Sequence, residues 1–109
     1  MEKIVKGDVV VIRIPFTDLS SDKKRPALVI ANLGGEDLIL CQITSKEPLS
    51  NFVKLNQKDF LTSTLDMTSF VRINKIFTLD SKMIEYKIGK INQEKITEVE
   101  TKLIKIITI

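Results

Sequence analysis

The sequence predicts a mainly β domain of the α+β kind, a small and strongly bent antiparallel barrel with one helix packed on it at the C-terminus. Three observations lead there. Short β-branched runs recur up to Ile91, polar loops longer than tight turns separate them, and one amphipathic repeat closes the chain. With 109 residues and 43% hydrophobic content the chain can bury one modest core, so residues 1–109 are read as a single domain.

Gly7 and Asp8 punctuate before Val9 to Ile14, a β-branched first strand that ends at Pro15. Phe16 to Lys24 is polar and reads as a loop. Arg25 to Ala31 forms the second strand, and Asn32, Gly34 and Gly35 make a turn. Asp37 to Ile43 is apolar on both faces, as an interior strand is, and ends at Thr44 and Ser45. Lys46 to Asn51 marks a surface loop before the short strand Phe52 to Leu55, and Gln57 to Leu61 suits a helical turn. From Ser69 to Asn74 the alternation sets Ser69, Val71 and Ile73 against Phe70, Arg72 and Asn74. Phe77 to Leu79 and Ile84 to Ile91 add strand or edge segments, with Gly89 breaking any helix. Asn92 is an N-cap, and Ile96, Val99, Leu103, Ile106 and Ile107 form the apolar stripe of a terminal helix.

Composition narrows the chemistry. There is one cysteine, Cys41, with no tryptophan and no histidine, so an intramolecular disulfide and a histidine- or cysteine-rich metal site are excluded. No metal or other cofactor is expected, and a reducing, cytoplasmic setting follows. Met1 to Lys6 lacks an apolar signal core and no run is long enough to span a bilayer, so no membrane association is expected. The lack of histidine removes the usual general base at neutral pH and excludes serine-histidine triads. A formal charge of +3, from 17 basic and 14 acidic residues, is compatible with a polyanionic partner without requiring one.

The most informative stretch is Thr17 to Ile30, where a polar loop runs into Lys23, Lys24 and Arg25 and then through Pro26 into the apolar run Ala27 to Ile30. Proline fixes its own φ and biases Arg25 towards an extended backbone, so a guanidinium stands at a defined place on a strand's rim. Its planar fork matches two phosphate oxygens. Read alone, the cationic triplet is an ordinary solvated turn and Thr44-Ser45 a strand end. Cys41 reads as core filler, and Phe16, Phe52 and Phe70 as packing residues before base-stacking ones.

The pieces GDVVVIRIPFTDLSSDKKRPALVIAN, CQITSK, SFVRINKIFTLD and IGKI, followed by a terminal helix, together resemble the MazF/PemK family of type II toxin-antitoxin toxins. That resemblance implies an SH3-like barrel, a homodimer, and a metal-independent, sequence-specific endoribonuclease that cuts single-stranded RNA, leaves a 2′,3′-cyclic phosphate and a 5′-hydroxyl, and is held in check by a cognate antitoxin. It places Arg25 and Thr44 at the family's catalytic arginine and threonine. Arg72 matches an arginine of the Kid/PemK branch, but Asn74 stands where that branch has an aspartate, and its loop histidine is missing. The loop before Arg25 is also shorter than usual in the family and lacks its typical glycine. Thr17, Lys24, Ser45, Lys46, Ser69 and Arg72 are the candidate RNA contacts. Two other classes share the fold: a CcdB-like toxin that binds gyrase without cleaving, linked to a C-terminal tryptophan this chain lacks, and a catalytically silent relative that only binds RNA.

Overall fold

The computed structural model describes residues 3–13, 24–63 and 65–109. Its strands are β1 (Asp8–Arg13), β2 (Lys24–Asn32), β3 (Asp37–Thr44), β4 (Phe52–Leu55), β5 (Phe60–Thr62), β6 (Ser69–Asp80) and β7 (Ile84–Ile91), and α1 (Gln93–Ile107) follows them. All pairings are antiparallel, in the order β4-β6-β3-β2-β1-β7-β5, and the sheet bends into a half-barrel that carries the helix.

β3 reads as apolar on both faces because both faces are covered. Leu38 and Leu40 join Ile4, Val10, Ile12, Ala27, Val29 and Ile84 in one cluster. Cys41 and Ile43 join Val9, Leu28, Val53, Leu55, Val71, Ile73 and Ile91 in the other, which the helix caps with Ile96, Val99 and Leu103. The helical stripe is shorter than its periodicity predicts. Ile106 is half-buried but Ile107 is exposed, since the last turn passes beyond the cover of the sheet.

The Gly7-Asp8 pair does more than punctuate. Gly7 has φ +94°, and a Cβ there would lie 2.6 Å from Ile96 Cδ1, so glycine lets the helix close on the first strand. The fully buried Asp8 carboxylate accepts from the Val5 N–H at 2.8 Å through Oδ2, while Lys87 Nζ stands 3.2 Å from Oδ1 as its counter-charge. This pins the entry to β1 against β7. Gly89 is likewise explained by contact rather than helix breaking: a Cβ would come within 2.2 Å of the Thr62 carbonyl oxygen of β5.

Two segments depart from the sequence expectation. Gln57–Asp59 is a 3-10 turn, as expected of a helical turn there, but Phe60–Thr62 then forms the edge strand β5. Phe77–Leu79 is not a separate strand; it continues β6. Ile43 pairs with Val71 and Cys41 with Ile76, so the four residues Arg72 to Lys75 oppose Gln42 alone. The polar Asn74-Lys75 step that suggests a break is taken up in this multi-residue bulge.

At the helix start, Asn92 Oδ1 accepts from the Lys95 N–H at 2.9 Å, the cap its sequence position predicts. Asn92→Ala is expected to cost about 1 kcal/mol, read as a lower urea midpoint at unchanged slope.

Candidate nucleic-acid site

β1 and β2 bring Arg13 beside Lys24 and Ile12 beside Arg25 at one end of the sheet. The β2–β3 ladder begins at Ala27–Gln42, one residue past Pro26, where the missing proline N–H breaks no recorded pair. Counting two residues outward in that register sets Arg25 level with Thr44, and Thr44 in turn pairs with Phe70 of β6. Alternation puts Arg25, Thr44, Phe70 and Arg72 on one face of the sheet, opposite Lys24 and Pro26.

Two hollows lie at this end of the sheet. One, of about 360 Å³, is lined by Lys24, Arg25, Pro26, Val11, Asp66 and Tyr86, among others. The other, of about 350 Å³, gathers Thr44, Lys46, Glu47, Ser50, Arg72 and Asn74. The structure thus brings Thr44, Lys46 and Arg72 together and Lys24 with Arg25. It does not put Arg25 and Thr44 into one described hollow: Arg25 lines the first and Thr44 the second. Each hollow holds two cations against one carboxylate, Asp66 or Glu47.

Thr44 Oγ1 accepts from the Lys46 N–H at 3.2 Å, which fixes the hydroxyl and leaves its O–H free to donate. Arg72 Nε is buried and has no hydrogen-bond partner among the described residues, an exception to the rule that buried polar atoms are paired. The bulge presents this guanidinium beside Thr44. Ser45 is exposed next to Thr44. Ser69 is 4% exposed and its hydroxyl donates to the Met67 carbonyl at 3.1 Å, so it holds the turn into β6 and borders neither hollow. Thr17, Lys23 and Phe16 lie outside the described residues. Phe70 is buried and meets Phe52 edge to face at 5.5 Å, which makes both packing residues.

Sequence reasoning missed Tyr86. It stands across from Val11 on β7, is 54% exposed, and lines the hollow beside Arg25. Its ring is exposed on a strand whose next residues, Lys87 and Ile88, are half-buried.

Burial pushes the Cys41 thiol up to about 12. The native protein should therefore resist alkylation at pH 8, whereas urea-unfolded protein should label fully; labelling of the native form would contradict this burial. Above about pH 8.5 the unfolded chain releases this proton and the folded chain keeps it, so this group lowers stability as pH climbs.

Among the described residues no cluster of histidine, cysteine, aspartate or glutamate could hold a metal ion, and no helix is long and apolar enough to cross a membrane. Comparison with solved structures places the fold. An endoribonuclease from a Mycobacterial species, in complex with its cognate antitoxin, superposes with TM-score 0.76 at 17% identity, covering 100% of this chain and 97% of that one. MazF from Deinococcus radiodurans matches with TM-score 0.74 at 19% identity over 100% of both chains. The Mycobacterium tuberculosis toxin MazF-mt6 matches with TM-score 0.74 at 13% identity, over 94% of this chain and 97% of that one. No curated protein matches by sequence. The model of the PemK-like, MazF-like toxins of type II toxin-antitoxin systems matches residues 5–107, nearly the whole length, and the chain belongs to that family.

Proposed function

We propose that this toxin arrests growth by cutting single-stranded RNA as a sequence-specific, metal-independent endoribonuclease. It acts in the cytoplasm as a homodimer and is neutralised by a cognate antitoxin. What supports the nuclease reading is the cationic end of the sheet, where Lys24 and Arg25 line one hollow and Thr44, Lys46 and Arg72 the other, and where the β2–β3 register, continued two residues outward from Ala27–Gln42, would set Arg25 level with Thr44. The structural neighbours that are endoribonucleases, one held by its antitoxin, support the same reading. Homodimerisation and the antitoxin rest on family membership.

Cleavage without metal requires three things: a 2′-hydroxyl aligned on the neighbouring phosphorus, neutralised phosphoryl oxygens, and a proton for the departing 5′-oxygen. Arg25 supplies the second through its two-pronged contact with phosphate. With a pKa above about 12 it is a poor acid, so the proton reaches the leaving oxygen through water. Thr44, already held through its oxygen by the Lys46 N–H, donates its O–H and orients the phosphate. Arg72, whose buried Nε has no partner among the described residues, takes the next phosphate along the strand, with Lys46 and Ser45 at its side. Lys24 attracts the backbone on the other flank, where the exposed Tyr86 ring offers a face for an unpaired base. The 2′-oxygen bonds to phosphorus as its proton passes to water, the P–O5′ bond breaks and the 5′-oxygen takes a proton from water, giving a 2′,3′-cyclic phosphate and a 5′-hydroxyl.

The test is incubation of purified protein with single-stranded RNA in EDTA, alongside induced expression in growing cells. Discrete fragments and growth arrest are expected. Intact RNA at micromolar enzyme overturns the reading, and gyrase-dependent DNA breaks in its place identify a CcdB-like toxin.

A further inference from the structure

We infer that the hollow beside Arg25 is a subsite for one unpaired base of the RNA, which stacks on Tyr86 and is selected as guanine by the Asp66 carboxylate. The inference rests on the RNA reading above and deepens it, giving a base-reading role to two residues outside the phosphate chemistry.

Strand register builds the floor of the subsite. Val11 of β1 pairs with Pro26 of β2 on one side and with Tyr86 of β7 on the other, so the three side chains stand in a row on one face of the sheet. The row spans about 10 Å, two interstrand spacings. Val11 is buried and Pro26 half-buried, which makes an apolar bed, and the Tyr86 ring is exposed at its end. Asp66, from the segment that leads into β6, lines the same hollow of about 360 Å³ as Lys24 and Arg25. Ser69 steadies that segment, since its hydroxyl donates to the carbonyl of Met67, the residue after Asp66, at 3.1 Å.

An exposed aromatic ring flanked by cations is the arrangement by which proteins hold single strands: the ring stacks on a base and the cations take the backbone. Lys24 and Arg25 stand where those phosphates would pass. Asp66 is the discordant group, because a carboxylate opposes phosphate binding. Among the described residues it forms no ion pair with either cation, although all three line one hollow. Accepting hydrogen bonds from a base offsets the repulsion, and a carboxylate can only accept. Guanine turns two adjacent donors, N1–H and N2–H, to its Watson–Crick edge, one for each carboxylate oxygen. Cytosine and adenine offer one amino donor beside a ring-nitrogen acceptor, and uracil offers one N–H between two carbonyls. Each of these sets a lone pair against Asp66.

Binding of a random 2′-fluoro RNA dodecamer library to the full-length protein tests the subsite, since such RNA lacks the 2′-hydroxyl nucleophile and cannot be cut. Enriched sequences should share a guanine. Replacing it by inosine, which lacks only the 2-amino group, should weaken binding to wild type by about 10-fold or more, the scale of a lost hydrogen bond to a charged group. Asp66→Asn should bind the guanine and inosine forms alike. The ratio is the readout, because loss of a negative charge alone strengthens both equally. Glu47→Gln removes a carboxylate from the neighbouring hollow and should keep the wild-type ratio. Tyr86→Ala should bind the guanine form about 10-fold more weakly, and Tyr86→Phe within a few-fold of wild type.

Several results would overturn the proposal: no enrichment, enriched sequences without a common guanine, an inosine penalty that survives in Asp66→Asn or vanishes in Glu47→Gln, or undiminished binding by Tyr86→Ala. Guanine-dependent binding by a protein that leaves ordinary RNA intact would uphold the subsite and remove the nuclease reading. Cleavage with no guanine requirement would do the reverse. Asp66 and Tyr86 are exposed, so the variants should fold; circular dichroism matching wild type confirms it, and Asp66→Ser serves as a second variant.

Discussion

Arg25→Ala is expected to slow RNA cleavage about 100-fold or more, the scale on which loss of one preorganised donor to a developing oxyanion is felt. The side chain is exposed at the start of β2, with its backbone already paired to Ile12, so the fold should survive the change. Arg25→Lys separates charge from geometry. It keeps the cation but loses the planar fork, and its rate should fall between wild type and the alanine variant. Single-turnover rates on one oligonucleotide give both numbers, and an alanine variant within a few-fold of wild type would remove Arg25 from the site. Thr44 should couple to it. If the hydroxyl and the guanidinium act on one phosphate, the double variant should lose less than the product of the single losses.

Leu40→Ala should destabilise the protein by about 2–5 kcal/mol, towards the upper end. Leu40 is completely buried, is paired with Val29 on one side and Phe77 on the other, and packs with Ile4, Val10 and Ile12. β2 and β6 hold β3 on both edges, so the walls cannot close on the cavity. Urea unfolding at unchanged slope reads the loss, and Leu49→Ala, at a fully exposed loop position, should stay within about 0.5 kcal/mol of wild type.

Much of the architecture could be read from local chemistry. Phe52–Leu55 is a strand with the bounds its flanking polar residues imply, and Asn92 caps the helix that the spacing of Ile96, Val99 and Leu103 predicts. What escaped depends on contacts between distant segments. Asn74 and Lys75 look like a break because a polar pair usually ends a strand, yet β3 holds β6 together on either side of them. Phe60–Thr62 is too short to announce itself and exists as a strand because β7 offers it an edge. Gly89 is needed for the close passage of Thr62, which no local pattern could reveal.

The site divides the same way. Lys24, Arg25, Thr44, Lys46 and Arg72 could be picked out by residue type and motif, and they do gather at one end of the sheet. Their separation into two hollows, with Lys24 and Arg25 in one and Thr44, Lys46 and Arg72 in the other, follows from strand pleat. Ser69 illustrates the limit of residue type as a guide, because a hydroxyl suited to phosphate is here bonded to the Met67 carbonyl. Tyr86 shows the converse, an outward ring that only the pairing of β7 with β1 brings beside Arg25.

The most direct test maps the ends of RNA fragments made in EDTA by wild type and Arg25→Ala side by side. Wild type should leave 2′,3′-cyclic phosphate and 5′-hydroxyl termini at a recurrent short sequence, and the variant, folded as judged by circular dichroism, should leave almost none. Fragments bearing 5′-phosphates, or the same fragments at the same rate from both proteins, would contradict a phosphate held by the Arg25 guanidinium beside the Thr44 hydroxyl.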